Sequence, residues 1–337
     1  RLPPRPPACG PPAAPAMTRL GVIAGHLAAQ PVAAAAQGVP GRTMPKPEVQ
    51  QAFASDPAWA GRPFWMLNVL KFKNGGAGAR KYAEYAEMVR RDSLPSVGAR
   101  VVMSGYARTV IGRNEYQMVA IVEYPSPEAF VRMSTSEAFE AKNAVRLEGL
   151  EEQYLIPMRP GWYHIDRAAP KASRPLARFT PETLLSTPNG MVGSSSSETS
   201  TRAGPTSATA AQAEAFLADR RIGHDRAVWH LNLLRFAGEA GRESYGRYAK
   251  AMGGKSGVLS SFGARSTLAS DCHRSLIGEF DFDRAIIVEY PCRDSFLSMG
   301  ASSEYLEAAH LRHEGLEETY ILSCLPEYVD RASGPSK

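Results

Sequence analysis

Cysteine is scarce in this chain: Cys9, Cys272, Cys292 and Cys324 are all that 337 residues contain. None stands at the close spacing of a metal finger, and four thiols spread so widely do not make a disulfide framework. No apolar run reaches the length of about eighteen residues that a membrane-spanning helix needs. A phosphate-binding loop is missing too, because Gly75-Gly76-Ala77-Gly78 lacks the Lys-Ser/Thr continuation. No Gly-x-Ser-x-Gly elbow occurs. Cys292 follows Pro291 where the related segment has Ser126, so it reads as a helix-entry residue rather than a nucleophile.

Acidic residues are absent from positions 1–47, which carry Arg1, Arg5, Arg19, Arg42 and Lys46. Those five charges equal the whole formal net charge of +5, so the remaining 290 residues are balanced. The basic pI near 9.0 therefore belongs to the leader. Without a basic stripe in the balanced part, nucleic acid is not an expected partner. The leader also holds eleven of the 26 prolines. Such a segment buries too little apolar surface to offset its ordering entropy and reads as disordered. Its Arg-containing, acid-free composition points to an organelle transit peptide, plastid or mitochondrial. With Met17 as a start, Leu20 to Ala36 becomes a weak secretory segment, interrupted by His26, Gln30 and Pro31. Without any targeting role the chain is expected in the cytoplasm.

What is present, and organises everything else, is a repeat. Trp65-Met66-Leu67-Asn68-Val69-Leu70-Lys71-Phe72 returns as Trp229-His230-Leu231-Asn232-Leu233-Leu234-Arg235-Phe236. Tyr82 and Tyr85 return as Tyr245 and Tyr248, and Ile121-Val122-Glu123-Tyr124-Pro125 as Ile287-Val288-Glu289-Tyr290-Pro291. Arg146 and Glu148-Gly149-Leu150-Glu151-Glu152 return as Arg312 and Glu314-Gly315-Leu316-Glu317-Glu318. A constant offset of 163 to 166 means that a whole folding unit is duplicated. The units are expected at 48–168 and 209–332, joined by a flexible linker over 169–208 that contains Ser194-Ser195-Ser196-Ser197. Residues 333–337 form a tail.

Within one copy, residues 65–72 make a buried strand. Tyr82, Tyr85, Ala86 and Val89 form a helical stripe. Residues 99–111 and 117–124 read as a hairpin around Gly112-Arg113-Asn114. Ser126 with Pro127 opens a second helix that carries Phe130, Met133 and Phe139 inward and ends at Gly149. Gln153 to Pro157 is a last strand. A short helix precedes each unit, near Glu48–Ala54 and Ala210–Asp219. The order βαββαβ is the ferredoxin-like, α+β arrangement. Each unit leaves one sheet face bare, and the second copy can cover it, giving two sheets face to face around a cavity.

These motifs resemble the dimeric α/β-barrel superfamily, and within it the family catalogued as domain of unknown function 1330. The second copy carries Phe282-Asp283-Arg284-Ala285-Ile286-Ile287-Val288-Glu289-Tyr290-Pro291 and Ser303-Glu304-Tyr305 in that pattern; the first departs from it at Glu115-Tyr116-Gln117-Met118 and Ala138-Phe139. The resemblance covers both copies but neither leader nor linker. It implies two tandem ferredoxin-like units forming a pseudo-dimeric barrel. Superfamily members include cofactor-free monooxygenases, lactone isomerases, dehydratases and haem-dependent enzymes, and fold alone does not choose among them.

The candidate site residues come from the repeat. Asn68 and Asn232 sit mid-strand, where Asn is disfavoured. They share a face with Met66 and Leu70, and with His230 and Leu234. If that face lines the cavity, an amide there orients a ligand; otherwise it satisfies backbone groups. His230 faces Met66 in the alignment and is either a general base, a haem ligand or a hydrogen-bonded core histidine. His310 and His313 also occur only in the second copy, and a solvated helix end competes with a ligand role. Tyr82, Tyr85, Tyr245 and Tyr248 suit core packing, although Tyr85 or Tyr248 could reach a ligand through its hydroxyl. Glu123, Glu289, Arg146 and Arg312 recur, either as structural ion pairs or as holders of an anionic substrate.

The functional expectation is an enzyme acting on a small apolar molecule by cofactor-independent oxygenase, isomerase or lyase-like chemistry. Its active cavity would lie in the second unit, with His230 as base, Asn232 as orienting amide and Tyr248 beside them. The alternatives are a non-catalytic ligand-binding or scaffold subunit in a homo-oligomer or larger complex, and a haem-binding protein. No cofactor other than haem, and no metal site, is expected.

Overall fold

The computed structural model describes residues 38–160, 162–163, 171–192, 206–254 and 257–330. The leader, apart from its last residues, the serine run and the tail lie outside them. The first copy contains α1 (Pro47–Ser55), β1 (Phe64–Phe72), α2 (Gly76–Met88), a π-helical turn over Val89–Ser93, and the short α3 (Leu94–Ser96). It continues with β2 (Arg100–Ile111), β3 (Met118–Tyr124), α4 (Pro127–Ser134), α5 (Glu137–Gly149) and β4 (Leu150–Met158). Then come β5 (Trp162–Tyr163) and α6 (Pro181–Ser186). The second copy contains α7 (Ala210–Ala218), β6 (Val228–Phe236), α8 (Gly238–Met252), α9 (Val258–Ser261), β7 (Arg265–Asp271), β8 (Arg284–Tyr290), α10 (Arg293–Gly300), α11 (Ser303–Gly315) and β9 (Leu316–Val329).

The helix expected from Ser126 to Gly149 is two helices. Ser126 caps the first by accepting from the Ala129 amide at 3.2 Å, and Ser136 starts the second by accepting from the Phe139 amide at 3.3 Å. The Ser134-Thr135-Ser136 hydroxyls bond to nearby carbonyls instead of letting one helix run through. Where α2 crosses α5, Gly78 meets Gly149. A Cβ on Gly78 would lie 2.5 Å from the Gly149 carbonyl oxygen, and Gly241 against Gly315 repeats the arrangement.

All strands belong to one nine-stranded sheet, in the order β4-β1-β3-β2-β9-β6-β8-β7-β5. This is the ferredoxin-like order 4-1-3-2 used twice, with β2 of the first copy paired to β9 of the second. The chain after β7 returns the pairing, since Leu276 N donates to Leu155 O and His273 N to Pro157 O, each at 2.8 Å. The sheet thus closes on itself as an antiparallel barrel. Two separate sheets face to face would have left the edges of β2 and β4 unpaired, and edge-to-edge closure satisfies those backbone groups. The copies also exchange outer contacts. Asp219, just after α7, accepts from Tyr106 Oη at 2.5 Å and Arg108 Nε at 2.7 Å on β2. Phe53 of α1 packs on His273 of the second copy, ring centroids 5.0 Å apart.

The stretch read as a flexible linker carries structure over its described part. Thr180 and Thr183 form a reciprocal cap on α6. Leu184 and Met191 are buried, and Asn189 donates to the Leu297 carbonyl at 3.3 Å. Two buried apolar side chains and a capped helix are enough to dock this segment on the second copy, despite its polar composition.

Candidate functional site: the tyrosine end of the barrel

Side chains alternate along β1 and β6, and the structure decides which face is inside. Trp65, Leu67 and Val69, with Trp229, Leu231 and Leu233, point into the barrel. Met66 and Leu70 point outward under α1, α2 and α4. The face carrying Asn68, His230 and Asn232 therefore lies beneath the helices, which corrects the expectation that it lines the central cavity. Both faces are apolar, so alternation alone could not tell them apart.

The consequences are local. Asn68 Nδ2 donates to the Met66 carbonyl at 3.1 Å, and Asn232 Nδ2 to the His230 carbonyl at 3.0 Å. Both amides thus satisfy backbone within their own strands. His230 is 1% exposed and lies over Phe296 with ring centroids 3.9 Å apart. Phe216 and Tyr290 close around it. Burial holds its imidazole pKa down at about 3. Haem does not fit here, because Phe296 occupies the space beside the ring. Tyr85 and Tyr248 pack on Tyr82 and Tyr245, each pair at 5.3 Å, between sheet and helices. His310 is exposed, its Nδ1 2.8 Å from the Glu307 carbonyl oxygen.

The repeated charges do not pair with one another as expected. Glu123 is held by Arg100 at 3.0 Å and by the Trp65 indole N–H at 2.8 Å, and Glu289 by Arg265 at 2.7 Å. Arg146 is buried, donating to Asn143 Oδ1, Gln153 Oε1 and the Thr43 carbonyl at 2.6–2.7 Å. Arg312 donates likewise to the Thr206 carbonyl. These arginines fasten the segment that enters each unit, and neither faces the barrel interior.

The interior holds the polar arrangement that the residue-by-residue reading missed. Tyr116, Tyr154, Tyr320 and Phe282 meet there, with neighbouring centroids 5.4–5.9 Å apart. Tyr154 and Tyr320 are equivalent residues of the two copies, as are Tyr116 and Phe282, so the cluster straddles the local two-fold axis. Glycine makes room for it. Gly112 has φ +147, and a Cβ there would lie 2.2 Å from the Tyr320 ring; Gly278, φ +140, stands in the same relation to Tyr154. Gln212 of α7 pins the first turn by donating to the Gly112 carbonyl at 2.7 Å.

Around the rings the two halves differ. In one, Arg113 makes a two-pronged contact to Glu318, Nε donating to Oε1 at 3.1 Å and Nη2 to Oε2 at 2.9 Å, and Glu318 is 1% exposed. Burial raises the Glu318 pKa and Arg113 opposes the rise. In the other, Glu152 Oε1 accepts from Tyr116 Oη at 2.6 Å and from Asn114 Nδ2 at 3.1 Å. The buried hydroxyl protons of Tyr154 and Tyr320 find no acceptor among the described residues, while the Phe280 backbone approaches the Tyr154 oxygen and the Arg113 and Asn114 backbone the Tyr320 oxygen. Burial pushes both phenols up, Tyr320 to about 12. At neutral pH they are therefore uncharged O–H donors. Phe282 is shared between the cluster and a cleft of about 530 Å³ bordered by Arg235, Arg242, Asp281 and Asp283. The recurrence of Tyr154 two residues beyond the Glu151-Glu152 motif, as Tyr320, was the available signal.

Residues 64–157 match the family model described as Domain of unknown function (DUF1330). A solved protein of unknown function from Rhodopseudomonas palustris is 27% identical, covering 36% of this chain and 98% of its own, with a TM-score of 0.32. An anthrone oxidase-like protein is 10% identical over 79% of this chain and 91% of its own, TM-score 0.44. A mutant chlorite dismutase from Candidatus Nitrospira defluvii is 11% identical over 79% and 92%, TM-score 0.35. No curated protein matches the chain. The match to the DUF1330 model thus falls on the first copy, and the repeat and strand order give the whole chain the fold of a dimeric α/β barrel built as a tandem in one chain.

Proposed function

We propose that this chain is a small-molecule enzyme whose site is the tyrosine end of the barrel, shared by both units rather than confined to the second. The carrying observation is the pair of buried O–H donors of Tyr154 and Tyr320 that find no acceptor, beside the Tyr116–Glu152 hydrogen bond. A buried donor left unpaired costs about 1–3 kcal/mol, and a ligand oxygen that accepts from it removes that cost. A neutral phenol that donates to a ligand oxygen stabilises negative charge that develops there, as in an oxyanion hole. Glu152 is the nearby carboxylate able to take a proton from a carbon next to a carbonyl and return it. Of the chemistries named above, isomerase or lyase-like proton transfer is the one these groups can perform unaided. The test is turnover of a panel of small lactones and quinols by wild type, Tyr154→Phe and Tyr320→Phe. Losing one oxyanion donor should lower turnover about 10²–10³-fold. Turnover equal to wild type in both variants would overturn the assignment.

A second reading, a non-catalytic ligand carrier, is favoured by one observation: the barrel interior is filled by the core residues Trp65, Leu67, Ile156, Trp229 and Leu231. A ligand would then sit at the mouth and make few contacts. Binding of a panel member without turnover, weakened by Tyr154→Phe, would select this reading.

A further inference from the structure

The two copies hold the same buried guanidinium in different ways. In the first, each nitrogen of Arg146 has an acceptor: Nε has Asn143 Oδ1, Nη1 has Gln153 Oε1 and Nη2 has the Thr43 carbonyl. The equivalent Arg312 is 2% exposed. Its Nη1 donates to the Thr206 carbonyl, but Nη2 is buried and has no hydrogen-bond partner. No carboxylate pairs with Arg312 among the described residues. Glu314, two positions on, is exposed and takes the Ser244 hydroxyl at 3.4 Å instead.

The sequence explains the difference. At the offset of 166, Asn143 becomes Ala309 and Gln153 becomes Thr319. Ala309 carries no acceptor, and Gly190 packs beside it. Thr319 alternates with Tyr320, which faces the barrel interior, so it lies on the helix side with Arg312. It is shorter than glutamine, and its hydroxyl donates to the Leu233 carbonyl at 2.8 Å. The carboxamide that meets the guanidinium in one copy is therefore missing from the other.

The surroundings offer donors and no negative charge. Tyr245, Tyr248 and Tyr305 are raised by burial, and the Arg312 charge opposes that rise in all three, which places them around the guanidinium. Tyr305 Oη has only a thioether to donate to, Met191 Sδ at 2.6 Å, which is a weak acceptor. A buried cation without a counter-charge or a full set of acceptors is strongly destabilising.

We propose that the Arg312 guanidinium binds a small monovalent anion, of the size of chloride or formate, in the place that the Gln153 carboxamide fills beside Arg146. The site lies between α11 and the sheet, away from the barrel interior, and does not depend on the chemistry proposed for the tyrosine end. The anion supplies charge-assisted acceptance to Nη2.

The experiment follows the thermal midpoint of the whole chain while sodium gluconate is replaced by sodium chloride, and separately by sodium formate. Ionic strength is kept constant, so screening is fixed. Gluconate is too large for a place vacated by one carboxamide. The midpoint is expected to rise by about 2 °C for each tenfold increase of the small anion above its dissociation constant. A rise with either anion supports the site, and which of them acts separates a halide from a carboxylate. Thr319→Gln rebuilds the acceptor of the first copy, so it should raise the midpoint in gluconate and remove the response to small anions. Arg312→Met removes the charge and should also remove the response. A wild-type midpoint that stays level or falls during both replacements, or an unchanged response in either variant, overturns the proposal.

Discussion

His230→Met is the most incisive single change, because the protein already carries the replacement at the equivalent position, Met66. The imidazole is 1% exposed, its Nδ1 has no partner, and Nε2 lies 3.4 Å from Ser323 Oγ. An unpaired buried nitrogen costs about 1–3 kcal/mol, which a thioether of similar volume does not incur. The larger effect is on pH dependence. The folded pKa is about 3 against an ordinary value of 6.5. Between those values the unfolded chain binds a proton that the native chain does not, so stability is complete above pH 6.5 and falls as pH drops towards 3. The slope is about 1.4 kcal/mol per pH unit. From pH 7 to pH 5, roughly 1.5 of the two units lie inside the window, so this group alone removes about 2 kcal/mol. Urea unfolding of both proteins at pH 7 and pH 5 isolates that contribution as a difference of differences. Equal pH dependence in the two proteins would refute the burial argument. A variant more than about 2 kcal/mol less stable at pH 7 would show that the imidazole makes a bond worth keeping. Turnover should not change, since the ring is separated from the barrel interior by the sheet.

Three further outcomes are expected. Gly112→Ala forces a Cβ against Tyr320 at a backbone angle that disfavours it, and should destabilise the fold by about 2 kcal/mol or more, read as a lower thermal midpoint. Arg113→Met leaves the buried Glu318 without its counter-ion and should cost about 3–5 kcal/mol at pH 7. That deficit should shrink in acid, where the carboxyl becomes neutral, as chemical denaturation at pH 4.5 would reveal. Arg146→Met removes three hydrogen bonds that hold the entry segment, and should speed proteolysis near Thr43 before the barrel itself opens.

The fold was legible because the duplication repeats every strand and helix signal, and agreement between copies filters accidental patterns. Face assignment was not legible. Trp65, Leu67 and Val69 are as apolar as Phe64, Met66 and Leu70, and a strand buried on both sides carries no polarity contrast to say which side meets helices. Asn68 and Asn232 looked like cavity residues for that reason, whereas they bond to carbonyls two residues back in their own strands. The tyrosine end escaped attention because Tyr154 and Tyr320 read as strand aromatics. Only closure of the barrel brings residues from β4, β9 and the turn before β3 together. The serine break at Ser136 carried its signal in sequence, as an N-cap followed by Glu137, yet apolar spacing across Phe130, Met133 and Phe139 outweighed it.

The β2–β9 junction has a consequence for how this molecule can change. In a barrel assembled from two identical chains, every substitution appears twice, so an arginine gained at position 113 would be gained at both mouths. Here the halves are joined, their effective concentration is about millimolar or higher, and dilution does not part them. Each position facing the axis can therefore be set independently: one turn keeps Arg113 while its counterpart carries Glu279, and one ring keeps its hydroxyl while its counterpart becomes phenylalanine. Covalent linkage turns a symmetric barrel into one whose two related turns differ in charge and whose two related rings differ in polarity.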